Sequence, residues 1–195
     1  MPYKVVGEFE KELCRYTGAR FAVTTTSCTM ALLLACAYNA VETVEIPRRT
    51  YVSVPMSIIH AGGTVRFRDQ DWYGEYQLDP YPIWDCARRF TSGMYIAGRF
   101  QCVSFHWSKI LGLGQGGAIL HDDPNADKWL RKARFDGRTE GVAPKDDTFT
   151  MIGWHAYMSP ETAAEGIMRL SLLPEHNDDL WTDDYPDLSE MEVFR

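Results

Sequence analysis

Short apolar segments alternate with segments of helical character along most of this chain of 195 residues. Strand-like segments are predicted at residues 21–23, 44–46, 64–67, 82–85, 101–105 and 116–120. Helices are predicted at residues 7–17, 28–40, 52–61, 123–135 and 160–173. Such alternation is typical of an α/β sandwich with a mainly parallel sheet. Residues 69–82 are polar, aromatic and proline-containing, and no long element is predicted there.

The charge of the chain divides it into two parts. The formal net charge is −7, and residues 175–195 contain eight acids against one base, which accounts for all of it. We therefore predict a neutral domain at 1–174, with a hydrophobic content sufficient for one core. The acidic tail at 175–195 is expected to be flexible. A neutral body argues against nucleic-acid binding, which requires a basic field.

The composition also bears on location. No apolar run approaches the ~20 residues that a membrane span needs, and the N-terminus becomes charged at once, unlike a signal peptide. The five cysteines are scattered and form no C-x-x-C pair, which indicates reduced thiols. These features predict a soluble, cytoplasmic protein without membrane contact. The histidines show no metal-ligand spacing, so no metal is predicted.

The first candidate site lies between the strand at 21–23 and the apolar helix that follows. Ser27, Cys28 and Thr29 offer hydroxyls and free backbone N–H groups at a helix N-terminus, which favours an anion. An ordinary Ser/Thr helix cap is the alternative.

The second candidate is Asp85, which follows an apolar strand. A carboxylate there is costly to bury without a cationic partner. A protonated ring nitrogen of a cofactor is one such partner; a structural pair with Arg88 or Arg89 is the alternative.

The third candidate is Lys109, between an apolar strand and a glycine-rich turn. An amine held in that setting can have a lowered pKa, which suits a lysine that forms a Schiff base. A surface lysine whose stem covers apolar area is the alternative. The nearby Gly112, Gly114 and Gly117 satisfy G-x-G-x-x-G, but they open a strand rather than a helix, which argues against a dinucleotide site.

One further group of charges is predicted to be structural only. The basic residues of the helix at 123–135 are interpreted as a solvated face; they are Lys128, Arg131, Lys132 and Arg134.

An anion pocket, a carboxylate and a lysine are the three groups that pyridoxal 5'-phosphate (PLP) needs for its phosphate, its ring nitrogen and its aldehyde. The chain supplies these three groups in that order. Through most of residues 8–173 the sequence resembles the DegT/StrS-type PLP-dependent sugar aminotransferases of fold type I. The resemblance is carried by FEKELCRYTGARFAVTTTSCTMALLLA, IPRRTYVSVPMSIIHAGG, WDCARRF, SFHWSKILGLGQGGAIL and GWHAYMSPETAAEGIMRLSLL.

The resemblance implies a three-layer α/β sandwich and a role for each matching residue. Lys109 and Asp85 would be catalytic, with Asp85 at the ring nitrogen. The remaining predicted cofactor contacts are Ser27, Cys28 and Thr29 at the phosphate, Ser104 also at the phosphate, Tyr51 stacked on the ring, Arg88 in place of a usual Gln or His, and His155 in the partner subunit's site. The family implies a homodimer with shared active sites, in which 153–159 approaches the partner's cofactor.

The sequence also departs from the family. The C-terminal small domain is expected to be absent, and a strand–helix unit is missing between Asp69 and Ile83, where the neighbouring strands are expected to close up. The family's Asn-Tyr-Arg stretch is replaced by His155-Ala156-Tyr157. Arg88 is interpreted as a replacement anion site, for a donor carboxylate or a substrate phosphate.

Three functions follow from these observations. The first is an aminotransferase that moves an amino group from an amino acid, with glutamate expected, to a nucleotide-linked keto sugar. The second is a reduced PLP-binding protein with little transaminase activity. The third is an interaction protein that has kept the scaffold without PLP.

Overall fold

The computed structural model describes residues 3–194. Its α-helices are α1 (Lys4–Thr17), α2 (Cys28–Tyr38), α3 (Ser53–His60), α4 (Pro124–Arg134) and α5 (Pro160–Leu172). Its strands are β1 (Phe21–Thr25), β2 (Thr43–Pro47), β3 (Thr64–Arg68), β4 (Tyr76–Leu78), β5 (Ile83–Asp85), β6 (Phe100–Ser104) and β7 (Gly117–His121). Short 3₁₀ turns lie at Pro144–Asp146, Leu188–Glu190 and Glu192–Phe194. Apart from β4 and these turns, each element lies within a few residues of a predicted one.

The larger sheet has five strands in the order β1-β7-β6-β5-β4. Strand β5 is parallel to β6, whereas the β1–β7, β6–β7 and β4–β5 pairs are antiparallel. The sheet is thus mixed, which differs from the predicted mainly parallel pairing. The glycine-rich turn after β6 returns the chain directly beside it as β7, because an antiparallel neighbour needs no crossover helix.

Strand β4 lies in the region from which the sequence predicts that a strand–helix unit is missing. It pairs with β5 through a short connection, with Tyr76 opposite Asp85. Beyond its end, Asp79 exchanges two backbone hydrogen bonds of 2.8 and 3.1 Å with Glu45 of β2. The parallel pair β2–β3 is thereby joined to the sheet. The neighbouring strands therefore do not close up as expected, since a three-residue antiparallel strand fills the gap between them.

Helices cover both faces of the sheet, so the predicted three-layer sandwich is confirmed. One apolar core joins α2, α3 and α4 to one face of the strands. A second core joins α1 and α5 to the opposite face. Alternate residues supply the two cores, as Val23 faces the first and Ala22 the second, because successive side chains in a strand point to opposite faces.

Part of the basic face of α4 is buried, contrary to the prediction of a solvated face. Arg134 is 2% exposed and donates to Glu10 of α1 and to the Thr24 carbonyl at 2.7 Å. Arg131 also donates to Glu10, at 2.7 Å. The spacing of basic residues along a helix does not show that an acid of another helix packs against them. This network could therefore not be predicted from the sequence.

The acidic tail lies along the body, which differs from the expected loose arm. Asp179 pairs with Arg89 through two nitrogens, and Asp187 pairs with Arg48. The Leu188 side chain is 1% exposed. These contacts are between residues far apart in sequence, so tail composition alone could not predict them. No helix among residues 3–194 is long and apolar enough to cross a membrane.

Candidate active site

The candidate residues meet at one edge of the five-stranded sheet. Strands β1 and β6 are both antiparallel to β7 and therefore run in the same direction, and β5 is parallel to β6. Their carboxyl ends lie at the same edge, where α/β sheets bind ligands. A cavity of about 530 Å³ opens there. It is lined by all of the predicted site residues except His155: Ser27, Cys28, Thr29, Tyr51, Asp85, Arg88, Ser104 and Lys109.

The N-terminus of α2 forms one wall of this cavity. The Ser27 hydroxyl caps the helix by accepting from the Met30 N–H at 3.2 Å. The first N–H groups of a helix have no intrahelical partner, so those of Cys28 and Thr29 are suited to an anion. The hydroxyls of Thr29 and Ser53 are 2.8 Å apart, which ties the start of α2 to that of α3. The helix cap and the anion site are therefore compatible readings of one turn.

Gly117 allows β7 to approach this turn. A Cβ atom at Gly117 would lie 2.5 Å from the Cys28 nitrogen and 2.8 Å from the Ser27 carbonyl oxygen. Backbone atoms cannot yield as a flexible side chain would. The close approach of β7 to the α2 N-terminus thus requires glycine at this position.

Asp85 is held at the end of β5 with only 4% of its surface exposed. Its carboxylate accepts from the Ala87 N–H and from the Tyr76 hydroxyl, both at 2.9 Å. Burial raises the pKa of Asp85, while these two hydrogen bonds and the charges of Lys109 and Arg88 act in the opposite direction. Within residues 3–194, no cation forms a salt bridge with Asp85, so the alternative of a structural arginine pair does not hold.

Lys109 is half-buried in the turn after β6, where its N–H donates to the His106 carbonyl at 2.8 Å. In the described part of the chain, its amine makes no hydrogen bond or ion pair. Burial lowers the pKa of Lys109, and the positive charge of Arg88 lowers it further, against the opposing effects of Asp85 and Cys28. An amine with a lowered pKa is more often neutral, as a nucleophile must be. These features disfavour the alternative of a surface lysine.

The other predicted residues line the cavity in different ways. Tyr51 is 57% exposed, with its ring centroid 6.4 Å from that of Tyr185. Ser104 is 9% exposed at the end of β6. Cys28 is buried, and its thiol lies 3.5 Å from the Cys102 carbonyl oxygen; burial raises its pKa well above the usual value. Cys28 therefore serves as a small apolar wall rather than as a nucleophile.

His155 lies outside this cavity. Its ring is exposed, contacts Asp136 at 3.0 Å and packs edge-on against Tyr157. A single chain does not bring His155 to Lys109 and Asp85. Its assignment to a partner subunit's site remains a prediction.

Several residues of the site could not be found from the sequence. Trp72, which lines the cavity, and Tyr76, which donates to Asp85, lie in the segment without a predicted element. Tyr185, which also lines the cavity, lies in the tail that was expected to be flexible. A three-residue strand is too short to show a periodic pattern. Thr50, whose hydroxyl lies 2.6 Å from that of Tyr76, gave no signal either.

The chemistry of this cavity suits PLP. The N-terminus of α2 offers N–H groups to a phosphate, and within residues 3–194 the buried Asp85 forms no salt bridge and the Lys109 amine forms no hydrogen bond or ion pair. Each of the three groups lacks the partner that the cofactor would provide. All three groups line one cavity, and this shared location favours a common role over three separate structural roles.

Comparisons with known proteins agree with this site. Residues 1–96 and 92–179 match the model of the DegT/DnrJ/EryC1/StrS aminotransferase family. The chain belongs to this family. The spore coat polysaccharide biosynthesis protein SpsC of Bacillus subtilis is 40% identical over 138 residues, which are 68% of this chain and 35% of SpsC.

Solved structures share the fold at lower identity. A putative PLP-dependent aminotransferase from Bacillus cereus superposes with a TM-score of 0.72 at 20% identity, over 87% of this chain and 59% of that one. DesI, solved in the presence of its TDP-sugar product, gives a TM-score of 0.66 at 24% identity, over 88% and 53%. The chain thus spans about a third of the curated relative and just over half of these structures.

Family membership confirms several predictions. The family consists of PLP-dependent aminotransferases, so PLP is the cofactor that membership implies. The fold type I architecture is likewise confirmed by the structural matches. The amino donor, the sugar nucleotide, the dimer and the role of each site residue belong to the proposal below.

Proposed function

We propose that this chain binds PLP through Lys109 and transfers an amino group from an amino acid, with glutamate as the expected donor, to a keto sugar carried on a nucleotide. In this reaction the amino acid becomes a 2-oxo acid and the keto sugar becomes an amino sugar. The observation that carries the proposal is the unpaired amine of Lys109, which shares one cavity with the buried Asp85 and the N-terminus of α2.

When bound, PLP supplies an aldehyde that reacts with amines and a ring that accepts electrons. Lys109 would hold the aldehyde and, once released by the donor, move a proton as general base and then as general acid. Its lowered pKa supports this role, because the neutral amine is available closer to neutral pH. Asp85 would pair with the protonated ring nitrogen, and the cation would in turn stabilise the buried carboxylate.

The proposal includes a homodimer. Tyr51 and Trp107 beside the site are 57% and 71% exposed, and Ile152 is 90% exposed next to the stretch 153–159. Exposed apolar side chains of this size are typical of contact surfaces. A partner subunit seated here would cover them and bring its own His155 towards the cavity.

Borohydride reduction of the PLP-loaded protein, followed by peptide mapping, tests the attachment. The pyridoxyl group is expected on Lys109, and Lys128 of the α4 surface is the control lysine. A label on another lysine, or no label with PLP in excess, would contradict the proposal. Light scattering tests the dimer by measuring the molar mass in solution. A PLP-loaded protein that is monomeric at micromolar concentration would contradict the proposed dimer.

One observation favours a narrower function as the second candidate. The short β4 pairs with β5, whose end bears Asp85, where the family resemblance leads us to expect a whole strand–helix unit. A keto sugar needs a shaped pocket that excludes water. A protein with a reduced pocket would accept nitrogen from the donor but pass it on slowly. Stopped-flow spectra decide between them: the cofactor band lost on adding glutamate returns rapidly with a nucleotide keto sugar only in the full transaminase.

A further inference from the structure

Two adjacent arginines after β5 have opposite environments. Arg89 is paired with acids, since it contacts Glu75 at 2.8 Å and Asp179 at 2.6 Å. Arg88 forms no salt bridge with any carboxylate among residues 3–194, although the acidic tail passes beside it. Arg88 also lines the same cavity as Lys109 and Asp85. The cavity therefore contains a guanidinium group that forms no salt bridge within the described chain.

Neutral groups of the tail hold Arg88 in place. Its Nε donates to the Tyr185 hydroxyl at 3.2 Å, and its Nη1 donates to the Trp181 carbonyl at 2.9 Å. The guanidinium also lies over the Tyr185 ring, 5.3 Å from the centroid. Its Nη2 makes no hydrogen bond within the described residues. Arg88 is thus oriented on one side and keeps N–H groups for a ligand on the other.

We propose that Arg88, held by Trp181 and Tyr185 of the tail, binds the carboxylate of the amino-acid donor. The inference rests on the proposed function, and it adds the tail as the element that positions the donor site. The guanidinium presents its donors as a planar fork, which matches a carboxylate. Bound there, a carboxylate would also balance the charge that Arg88 places beside Lys109.

The surroundings favour this anion over the diphosphate of a nucleotide. The carboxylate of an amino acid is attached to the carbon that bears the amine, so the group that binds it must lie in the same cavity as Lys109. Arg88 meets this condition. A second cavity of about 250 Å³ also reaches Arg88, and its other charged lining residues are Asp71, Asp183 and Arg49. Apart from Arg88 this lining holds two acids against one base, so its net negative charge would oppose a diphosphate that extended from Arg88 in that direction.

Calorimetric titration with glutarate, a dicarboxylate that lacks the amine, tests the site in both PLP-loaded and PLP-free protein. Arg88→Gln is expected to raise the dissociation constant of glutarate by roughly ten- to a hundredfold, and Arg88→Lys by less, because a lysine has no fork. Arg66→Gln, which removes an exposed charge of β3 that lines neither cavity, is the matched control and is expected to leave the dissociation constant unchanged. Uncharged glutaramide should bind weakly to every variant.

A second variant keeps the charge and tests the tail. Tyr185→Phe removes the hydroxyl that receives the Arg88 Nε and is expected to weaken glutarate binding several-fold without changing the thermal melting point by more than a few degrees. This variant also remains informative if Arg88→Gln unfolds the protein. An unchanged glutarate affinity in Tyr185→Phe would remove the tail from the site.

Three results would overturn the assignment. Equal glutarate affinity in wild type and Arg88→Gln would show that the carboxylate binds elsewhere. A tenfold loss of PLP affinity in Arg88→Gln would assign Arg88 to the cofactor instead. A loss of affinity for inorganic phosphate alone would assign it to a phosphate of the substrate. Failure of PLP to attach to Lys109 would refute the proposed function but not this site, because the titration of the PLP-free protein decides the site independently.

Discussion

Glu10 and Asp85 are two carboxylates with the same exposure of 4% and opposite electrostatic surroundings. Glu10 lies on the buried face of α1, where Arg131 and Arg134 both donate to it. Although burial acts to raise the pKa of Glu10, the two guanidinium charges prevail and the pKa is lowered. Asp85 receives hydrogen bonds only from neutral groups, and its pKa is raised by burial.

This difference separates a structural charge from a functional one. Glu10 has its cationic partners in the folded chain, so it can remain ionised without a ligand. Asp85 forms no salt bridge within residues 3–194, and its hydrogen bonds and the more distant charges of Lys109 and Arg88 do not offset the effect of burial on its pKa. Burial by itself therefore does not identify a site; the missing counter-charge does.

The largest effect is expected at the structural carboxylate. Glu10→Gln leaves Arg134 buried without its main counter-charge, which should lower the free energy of unfolding by about 3 to 5 kcal/mol. Urea unfolding of the PLP-free protein measures this change. Glu8→Gln on the same helix removes an exposed pair with Lys11 and should cost at most about 0.5 kcal/mol. A loss below about 1 kcal/mol for Glu10→Gln would mean that the two carboxylates do not differ as argued.

Asp85→Asn should have the opposite profile, with a large effect on the ligand and a small one on the fold. PLP affinity is expected to fall by roughly ten- to a hundredfold, because an amide cannot form the charge-assisted hydrogen bond. Arg88→Ala should weaken PLP binding less. A titration monitored by absorbance measures both affinities.

The sign of the stability change is a separate test of the same variant. The pKa of Asp85 is higher in the folded state than in the unfolded state. The ionised group therefore destabilises the fold as the pH rises from the unfolded-state pKa through the folded-state pKa. Asp85→Asn should therefore leave the PLP-free protein at least as stable as wild type at pH 7. The free energy of unfolding of the variant relative to wild type should be higher at pH 7 than at pH 4. Strong destabilisation at pH 7 would make Asp85 structural, as Glu10 is.

The sequence predicted one side of this comparison and missed the other. Asp85, Lys109 and the turn at Ser27 were predictable because each follows an apolar strand, and strand ends converge at one edge of an α/β sheet. The Glu10–Arg134 pair was not, since it joins residues 124 positions apart and each residue taken singly resembles a solvated helical charge. Local patterns show strand ends well and show little about which side chains meet.

The middle of the chain gives the same lesson on a smaller scale. Strand β4 has three residues and an antiparallel partner, so it shows neither alternation nor a helix-length connection. Its Tyr76 is nevertheless the residue that orients Asp85. The tail was unpredictable for a related reason, because its few contacts depend on arginines that only the folded body presents.

Tyr76→Phe should have a moderate effect on both properties. It removes the hydrogen bond to Asp85 and leaves the Thr50 hydroxyl without its partner, which should cost about 1 to 3 kcal/mol of unfolding free energy. The pKa of Asp85 should rise further, because the Tyr76 hydroxyl acts to lower it. PLP binding in this variant should therefore weaken at a higher pH than in wild type as the solution is acidified.

The matched control is Tyr81→Phe. The hydroxyl that it removes accepts from the Glu42 N–H at 2.7 Å and does not contact Asp85. It loses one hydrogen bond of similar kind. PLP titrations between pH 5 and 8 should show the shifted profile in Tyr76→Phe only. If both variants move the profile equally, Tyr76 stabilises the fold without positioning Asp85.

The smallest effect is expected at His121, a third buried titratable group, at the end of β7. The side chain is fully buried, neither ring nitrogen has a hydrogen-bond partner in the described part of the chain, and Asp127 is 4.0 Å away. Unlike Asp85, His121 has a neutral form near pH 7 and needs no counter-charge. Burial lowers the pKa of His121 below its ordinary value of 6.5.

The unfolded chain thus takes up a proton at His121 at a higher pH than the folded chain does, so stability must fall as the pH drops below about 6.5. One such group contributes a slope of at most about 1.4 kcal/mol per pH unit. His121→Phe retains an aromatic ring beside Phe100, whose ring stacks on that of His121 at 5.6 Å, and should flatten the stability profile between pH 6.5 and 5. Exposed His60→Gln is the control and should keep the wild-type slope. An unchanged slope in His121→Phe would show that the acid sensitivity comes from carboxylates such as Glu10, whose lowered pKa places its own loss of stability at lower pH.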